Sequence, residues 1–406
     1  MHLLEVGNDP KRQQEFLLLP VRLYKNNGFW IRPLDKDIED VFNPATNQCF
    51  QHGECTRWIA VDERNQTVGR IAAFIDQKTI HKNNEQPTGG SGFFECVDDE
   101  KVAFALFDQA KTWLQTRDIE AMDGPINFGD RDRRWGLLVQ GYEKEPLYGM
   151  DYHLEYYKTL FENYGFQEYF QQFTYWLPIP EDEVHRLISK SVLERSARIQ
   201  RMPGYEFKHV EKKNLPKYAE DFRQVYNLAW ANHLSTGEVS KEHSLELMNR
   251  MKPIMEEELM WFGYFEGRPI AFFIVLPDLN QLFKHVNGKV DFVGKLKLLY
   301  HKLMKTNKKA FGVIFGTIPE FQGRGIESAI SLAFGNIAWK DPNFQYKEIE
   351  LNWVGDFNVK MVRFSKMLGG VVSKTHATYR YLFDRSKEFK RHPNIWVLAW
   401  NTDDTD

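Results

Sequence analysis

The residues best suited to chemistry lie in a short turn that is rich in glycine, at residues 322–326. The turn, QGRGI, follows an apolar run, FGVIFGTIP, and precedes apolar residues at helical spacing. Two glycines at a helix start let the backbone approach a ligand, and the unpaired N–H groups of the first helical turn attract an anion. Arg324 adds a mobile cation. The pattern predicts a phosphate or pyrophosphate site, although an ordinary strand-to-helix turn explains the same glycines equally well.

The elements that must position this turn form an order that occurs twice. Each half of the chain reads as strand, helix, hairpin, strand, helix, strand, helix and strand, and Pro178-Ile179-Pro180 separates the halves. We therefore predict a mixed α+β protein with two domains, each a twisted mixed sheet flanked by helices. The predicted boundaries are 1–178 for the first domain, 179–204 for a linker helix and 205–406 for the second domain.

Length and composition are those of a globular protein. The 406 residues are enough for two domains with full cores, and 42% of them are apolar. The net charge of −3 gives no reason to expect nucleic acid or an anionic membrane as a partner. The lysines of a predicted basic helix at 289–307 favour a solvated face over a binding surface. No apolar run reaches the length of a membrane span and no signal segment precedes the first domain, so we expect a cytoplasmic protein.

Metal ligands and disulfides are not indicated. Cys49, His52 and Cys55 supply three potential zinc ligands without a fourth, and structural zinc requires four. Three cysteines in the whole chain do not make a disulfide framework. We therefore expect no bound metal.

The turn at 322–326 resembles the Q/R-x-x-G-x-G/A signature of the GNAT acyltransferases. In that family the signature binds the pyrophosphate of acetyl- or acyl-coenzyme A. This sequence departs from it at the last position, where Glu327 replaces Gly or Ala and either repels phosphate or points to solvent. The stretch YYKTLFENYGF at 156–166 is similar to the family's final helix, but Asp98, Asp99 and Glu100 stand where a first-domain phosphate turn would be. The resemblance therefore implies a first domain without coenzyme binding.

A second stretch, ELNWVGDFNVKMVRFSKMLGG at 350–370, resembles the other GNAT signature. Asn358 matches the asparagine that contacts the pantetheine arm, and a helix N-cap explains it equally well. The family often places a tyrosine seven residues later as the acid for the leaving thiolate. Ser365 occupies that position here and is a poor proton donor by comparison.

Sequence stretches along nearly the whole chain resemble those of a bacterial group of tandem GNAT-like proteins, the YghO-like predicted acyltransferases. The matching stretches are GPINF…GLLVQGY, PDLNQ, the glycine turn and NWVGDFN. The resemblance implies an N-acyltransferase that takes acetyl-CoA or a longer acyl-CoA as co-substrate. The predicted acceptor is a small-molecule or lipid-like amine. The loop at 124–142 is either a surface loop or part of a cleft wall between the halves.

The predicted site residues fall into three groups. The coenzyme contacts are Phe315, Thr317, Gln322, Gly323, Arg324, Gly325, Ile326 and Asn358. The catalytic candidates are Glu350 as base, with Tyr379 and Ser365 as acids, and the amine contacts are Asp278 and Asn280. Each has a structural reading as well: Glu350 as a strand carboxylate, Tyr379 as core packing, and Asp278 and Asn280 as turn residues.

Two other functions stay open at this point. Glu327, Ser365 and the absent first turn also suit a GNAT-fold binding or regulatory protein without turnover. A Fem-like aminoacyl transferase is the second alternative, because Fem-type transferases also consist of tandem GNAT folds. Those usually carry a helical hairpin arm and lack a good pyrophosphate turn, whereas this sequence has the turn and shows no long arm. An aromatic content of 15% suits an apolar cleft for a long acyl chain, although two cores absorb many aromatics too.

Overall fold

The computed structural model describes residues 1–82, 84–129, 131–230 and 238–394. The strands are β1 (His2–Glu5), β2 (Gly53–Val61), β3 (Thr67–Asp76), β4 (Thr88–Cys96), β5 (Ala121–Gly124), β6 (Leu137–Gln140), β7 (Gln167–Pro178), β8 (Tyr205–His209), β9 (Met260–Phe265), β10 (Arg268–Pro277), β11 (Lys309–Thr317), β12 (Glu348–Gly355) and β13 (Val371–Leu382). The helices are α1 (Pro10–Leu23), α2 (Asp35–Glu39), α3 (Glu100–Gln115), α4 (Tyr156–Tyr164), α5 (Glu181–Leu187), α6 (Lys190–Arg201), α7 (Leu215–Trp230), α8 (Lys241–Met251), α9 (Asn280–Phe283), α10 (Phe292–Leu303), α11 (Ile326–Lys340) and α12 (Val359–Met367). We call residues 1–178 the N-terminal half, 179–204 the linker and 205–394 the C-terminal half.

The strands form one large mixed sheet, which confirms the predicted α+β class. Its order is β1-β2-β3-β4-β5-β13-β7-β12-β11-β10-β9-β8, and β6 also pairs with β13. Among the pairs in the described residues, β4–β5 and β11–β12 are parallel and the others are antiparallel. The sheet is therefore continuous across the two halves, whereas the sequence order predicted a separate sheet in each.

The continuity arises because the two halves exchange their last strands. β13, from the end of the chain, lies between β5 and β7, with Tyr379 opposite Gly124. β7, from the N-terminal half, lies between β13 and β12, with Tyr175 opposite Leu351. An apolar run predicts a buried strand but not which neighbour it pairs with, so the exchange is invisible in the strand pattern.

The helices cover both faces of this sheet and are held by separate apolar clusters. In the N-terminal half, α3 and α4 pack on the sheet through Phe94, Phe107 and Phe161. In the C-terminal half, α7 packs on β9 and β10 through Phe222 and Phe272. A third cluster fixes α11 against β12 and β7. These contacts position α11, the helix that follows the glycine turn.

The linker contains two helices, α5 and α6, where the sequence predicted one. Ile188 is extended (φ −96°, ψ 133°), and the Ser189 side chain then caps α6 by accepting from the Val192 N–H at 3.4 Å. The second helix packs along α11, where Gln200 Nε2 donates to the Ala329 carbonyl at 2.7 Å. The linker therefore lies directly against the helix that begins at the glycine turn.

Candidate functional site

The two parallel strands of the C-terminal half, β11 and β12, separate near their middle. Parallel pairing runs from Lys309 opposite Glu348 to Gly312 opposite Leu351 and ends there. β11 then carries one extra residue relative to β10, at Val313. β12 carries an extra residue relative to β7 between Leu351 and Val354. Because a bulge bends its strand, the paired bulges open a gap between β11 and β12 beyond this point.

The glycine turn lies just after β11 and begins α11 without a side-chain cap. Gly323 (φ +72°) and Gly325 (φ +88°) adopt left-handed backbone conformations that suit glycine. Gly325 is the N-cap residue and provides no side-chain acceptor for the first helical turn. The N-cap residue itself therefore offers no acceptor to the N–H groups of the first turn, and the phosphate site at this helix start stays a prediction.

Glu327 competes for the same helix start. Burial raises the pKa of its carboxyl, and a hydrogen bond from its own backbone N–H offsets part of that rise. The side chain is half-buried, so the carboxylate folds back on the first turn instead of extending into solvent. This arrangement favours the reading in which Glu327 opposes a bound phosphate.

Two arginines border the turn, and one of them was not found from the sequence. The Arg324 guanidinium lies over the Phe321 ring, 5.3 Å from its centroid. Arg195, on linker helix α6, donates from Nη2 to the Gly323 carbonyl at 3.3 Å. A Cβ placed on Gly325 would lie 3.1 Å from Arg195 Nε. A single sequence gives no signal that the linker packs here, which is why Arg195 escaped detection.

An apolar groove lies along α11 from Ser328 onward, two residues beyond the glycine turn. Its volume is about 80 Å³, and it is closed by the linker on one side and by β12 on the other. Its lining includes Ser328, Ser331, Leu332 and Gly335 from α11, Leu187, Val192 and Ser196 from the linker, and Ile349 and Leu351 from β12. A ligand with an anionic group and an apolar arm matches a cationic turn that leads into an apolar groove.

The remaining predicted coenzyme residues surround the same region. The Gln322 side chain donates to the Thr317 carbonyl at 3.0 Å, which ties the turn to the end of β11. Phe315 packs between the rings of Phe273 and Phe364. Asn358 is the N-cap of α12, and its Oδ1 accepts from the Met361 N–H at 3.2 Å. Contacts from these residues to a coenzyme stay predictions.

Glu350 is buried in a charged cluster instead of projecting into the gap. Its Oε2 lies 2.6 Å from Lys374 Nζ, its Oε1 accepts from Ser373 Oγ at 3.0 Å, and Lys309 Nζ is 3.7 Å away. Burial alone would raise the pKa of Glu350, but the two ammonium groups outweigh it and hold the pKa below its ordinary value. A carboxylate held in its ionised form is a weak base, so this geometry gives little support to the predicted catalytic role.

Ser365 and Tyr379 are not brought together with Glu350. Ser365 is fully buried within α12. Tyr379 lies in the apolar cluster of the N-terminal half, where its hydroxyl donates to Glu162 Oε1 at 3.1 Å. Burial raises the pKa of Tyr379 above its ordinary value, which disfavours ionisation. The roles of both residues as acids stay predictions.

Asp278 and Asn280 join the two halves of the chain. The Asp278 carboxylate accepts from the backbone N–H groups of Tyr148 (3.0 Å) and Asn280 (3.1 Å), and burial raises its pKa to about 6. Asn280 Nδ2 donates to the Pro146 carbonyl at 2.9 Å. Both side chains are buried and already bonded, so their predicted contact with an amine requires a rearrangement.

The loop at 124–142 reaches the strand that borders the gap. Trp353 Nε1, on β12, donates to the Arg131 carbonyl at 2.9 Å, and the Trp353 ring stacks on Phe170. Asp130, within this loop, lies outside the described residues. The loop is therefore in contact with β12, as a cleft wall requires, and its role in a cleft stays a prediction.

The parallel pair of the N-terminal half differs at the corresponding place. Pairing of β4 with β5 ends at Gly90 opposite Asp123, and the Ile126 N–H then bonds to the Ser91 carbonyl at 2.8 Å. A Cβ on Gly92 would lie only 2.0 Å from the Ile126 carbonyl oxygen. The following helix, α3, is capped by Asp99, whose Oδ1 accepts from the Lys101 N–H at 2.8 Å.

The described residues contain neither a group of metal ligands nor a membrane-spanning helix. In the described ranges no three His, Cys, Asp or Glu side chains are grouped as metal ligands. In the same ranges no helix has both the length and the apolar character needed to cross a bilayer.

The architecture is that of a tandem GNAT protein. The tandem GNAT protein from the clavulanic acid biosynthesis pathway, determined without AcCoA, superposes with a TM-score of 0.53 over 95% of this chain and 99% of its own, at 10% identity. This likeness confirms the GNAT fold that the sequence motifs indicated.

Two relatives are similar in sequence along most of the chain. The bacterial ceramide synthase of Caulobacter vibrioides (strain NA1000 / CB15N) is 26% identical over 374 residues, which cover 91% of this chain and 94% of the relative. Protein YghO of Escherichia coli (strain K12) is 24% identical over 372 residues, covering 90% and 91% respectively. The predicted resemblance to YghO-like proteins is thereby confirmed. No protein-family model matches the chain.

Proposed function

We propose that this protein is an acyl-CoA-dependent N-acyltransferase that acylates a lipid-like amine. In this proposal residues 1–178 and 205–406 are two GNAT-like domains, and only the second binds the coenzyme. The observation that carries the proposal is the start of α11, where an uncapped helix N-terminus stands between Arg195 and Arg324. Backbone N–H groups and guanidinium groups are the donors that bind a pyrophosphate.

The gap between β11 and β12 is the proposed place of acyl transfer. The amine nitrogen attacks the thioester carbonyl carbon, the C–S bond breaks, and the proton lost by the amine passes to the departing thiolate, so that an amide and the free coenzyme thiol form. Backbone N–H groups of β11 beyond Val313 would stabilise the negative charge on the carbonyl oxygen. The proposal gives Glu350 a positioning role, because its ion pair with Lys374 keeps it ionised.

The sequence relative supports the proposed class of acceptor, and the groove supports the proposed class of donor. A ceramide is an amide between a fatty acid and a long-chain amino alcohol, and the C. vibrioides relative is a bacterial ceramide synthase. The groove along α11 is mainly apolar, which suits an apolar segment of the donor. We propose a long-chain amino alcohol as the acceptor and a fatty acyl-CoA as the donor.

A non-catalytic coenzyme-binding protein is the second candidate. Two observations favour it: the Glu327 carboxylate folds over the helix start, and the buried Ser365 replaces the expected tyrosine. This candidate binds acyl-CoA but releases no thiol when an amine is added.

The test is a calorimetric titration of the full chain with acetyl-CoA and palmitoyl-CoA, followed by a thiol-release assay with a long-chain amino alcohol. We expect micromolar binding, about −8 kcal/mol. Gly325→Glu should abolish it, because it adds a carboxylate at the helix start and strains a left-handed residue.

Gly267→Glu is the matched control. It adds the same charge at another left-handed glycine (φ +80°), with no atom within 4 Å of its Cβ position. Equal binding by the wild type and both variants would refute the site. Binding without thiol release for any long-chain amine would favour the non-catalytic candidate.

A further inference from the structure

Helix α10 exposes an apolar stripe that no described part of the protein covers. Its most exposed members are Phe292 (76%) and Leu303 (72%). The stripe consists of Phe292, Val293, Leu296, Leu299, Tyr300, Leu303 and Met304, all more than half exposed. Their spacing of i, i+1, i+4, i+7, i+8, i+11 and i+12 places them on one side of a helix. The stripe is therefore a continuous surface and not a set of scattered side chains.

The opposite side of α10 is the one that faces the protein. Gly294 is buried, and Leu298 and His301 are half-buried, with His301 stacked on His285 at a centroid distance of 3.6 Å. The helix thus already uses its inner side for packing. The other described residues of the fold leave the stripe exposed to solvent.

Lysines border the stripe on both sides. At 100° per residue, Lys295 and Lys302 fall along one edge and Lys297 along the other. Lys289, Lys305 and Lys308 extend the positive charge beyond both helix ends, and Asp291 is the only acidic residue between positions 289 and 308. Within the described residues, none of these six lysines has a carboxylate within 4.0 Å. Asp291 is used as the N-cap, since its Oδ1 accepts from the Gly294 N–H at 2.8 Å.

We infer that α10 docks the protein on the surface of an anionic phospholipid bilayer. The apolar stripe would enter the boundary between headgroups and acyl chains, and the bordering lysines would contact phosphate groups, as in interfacial amphipathic helices. With 12 residues the helix is too short to span a bilayer, so it lies in the plane of the interface. Charge complementarity favours lipid over a second copy of this chain, because two copies of this basic face would repel each other.

This inference goes beyond the proposed enzymatic function and does not depend on it. The net charge of −3 for the whole chain gave no reason to expect an anionic membrane, and the lysines read as a solvated face. In the structure, the positive charge around α10 contrasts with the negative net charge of the whole chain. The structure shows a basic helix whose apolar side is also exposed.

The experiment is co-sedimentation of the full chain with vesicles, in the absence of any coenzyme. Vesicles of phosphatidylcholine alone are compared with vesicles that contain about one-third phosphatidylglycerol. We expect binding to the anionic vesicles that weakens between about 0.05 and about 0.5 M salt. Leu299→Asp with Leu303→Asp should lower the partition coefficient at least about tenfold, because two exposed leucines no longer enter the interface. Lys295→Gln with Lys297→Gln should lower it by about tenfold.

Matched controls change the same residue types elsewhere on the surface. Lys11→Gln with Lys25→Gln removes two exposed lysines, and Phe29→Asp changes an apolar residue that is 42% exposed. Both should bind vesicles like the wild type. Absence of binding to anionic vesicles, or equal binding by the Leu299/Leu303 variant, would overturn the inference. A dimer in sedimentation velocity that this variant converts to monomer would also overturn it, because the stripe would then be an interface between copies.

Discussion

The two halves of this protein treat the same structural position in opposite ways. In the N-terminal half, the segment that follows β5 closes against β4 through the hydrogen bond from the Ile126 N–H to the Ser91 carbonyl, and Asp99 caps α3. In the C-terminal half, pairing of β11 with β12 simply ends at Gly312, and α11 begins at Gly325 without a side-chain acceptor. One helix start is capped by the carboxylate of its N-cap residue, whereas the other has glycine at that position and Glu327 within its first turn.

This difference teaches that a fold repeat does not imply a repeat of the site. A helix N-terminus attracts negative charge wherever it occurs. Whether that attraction binds a ligand or stabilises the fold depends on whether a nearby side chain satisfies it first. The Asp99 carboxylate satisfies it by accepting a hydrogen bond from the Lys101 N–H, whereas the glycines of the C-terminal half leave space for a ligand.

The largest expected effect comes from removing one partner of the buried ion pair between β12 and β13. Lys374→Met leaves Glu350 buried with only the more distant Lys309, so we expect the free energy of unfolding to fall by about 3 kcal/mol. Because β7 and β13 each belong to the sheet of the other half, unfolding should remain a single transition. Urea unfolding followed by circular dichroism and tryptophan fluorescence measures both quantities.

The control for this prediction is Lys387→Met, which removes an exposed ion pair with Glu120 and should leave the free energy of unfolding nearly unchanged. Two separate transitions in either variant would show that the halves unfold independently.

A second change sharpens the comparison at the open helix start. Arg195→Ala removes a guanidinium that contacts the glycine turn, and we expect acyl-CoA binding to weaken about tenfold, or about 1.4 kcal/mol. Arg198→Ala on the same helix removes an equal charge that makes no hydrogen bond to the turn within the described residues, and it should have little effect. Calorimetry on both variants decides the matter, and equal losses would mean that the linker acts only through its overall charge.

The smallest expected effect concerns the carboxylate that competes at α11. Glu327→Gln should strengthen acyl-CoA binding by about threefold. Since burial raises the pKa of Glu327 above its ordinary 4.5, the neutral form persists to higher pH, and wild-type affinity should fall relative to the variant as the pH rises through that pKa. Titrations at several pH values, taken as the ratio of variant to wild type, remove the titration of the coenzyme itself.

Asp99→Asn is the control at the other helix start. It should leave acyl-CoA binding unchanged, because the N-terminal half has no open site. A gain in affinity from this variant would contradict the assignment of binding to the C-terminal half alone.

Local patterns were sufficient to predict the turn and the fold class. The glycines at 323 and 325, the helix after them and the acidic residues at 98–100 are adjacent in sequence, and local sequence determines their geometry. The single sheet, the position of Arg195 beside the turn and the ion pair of Glu350 with Lys374 were not predicted. Each of these depends on contacts between distant segments, and apolar periodicity gives a strand its burial but not its partner.

The exposure of α10 was missed for a related reason. A helix with an apolar and a basic face is as consistent with packing on the protein core as with an exposed apolar side, because core packing is the common use of such a pattern. Only the arrangement of the other described elements shows that they leave its apolar side exposed.

The exchange of last strands has a consequence for synthesis on the ribosome. The sheet of the N-terminal half lacks the strand beside β5 until β13, which ends at Leu382, has emerged. The nascent N-terminal half therefore waits with an open sheet edge while more than two hundred further residues are translated. We expect that half to need protection by a chaperone during this interval, and a chain released before β13 to be degraded instead of accumulating as a folded fragment.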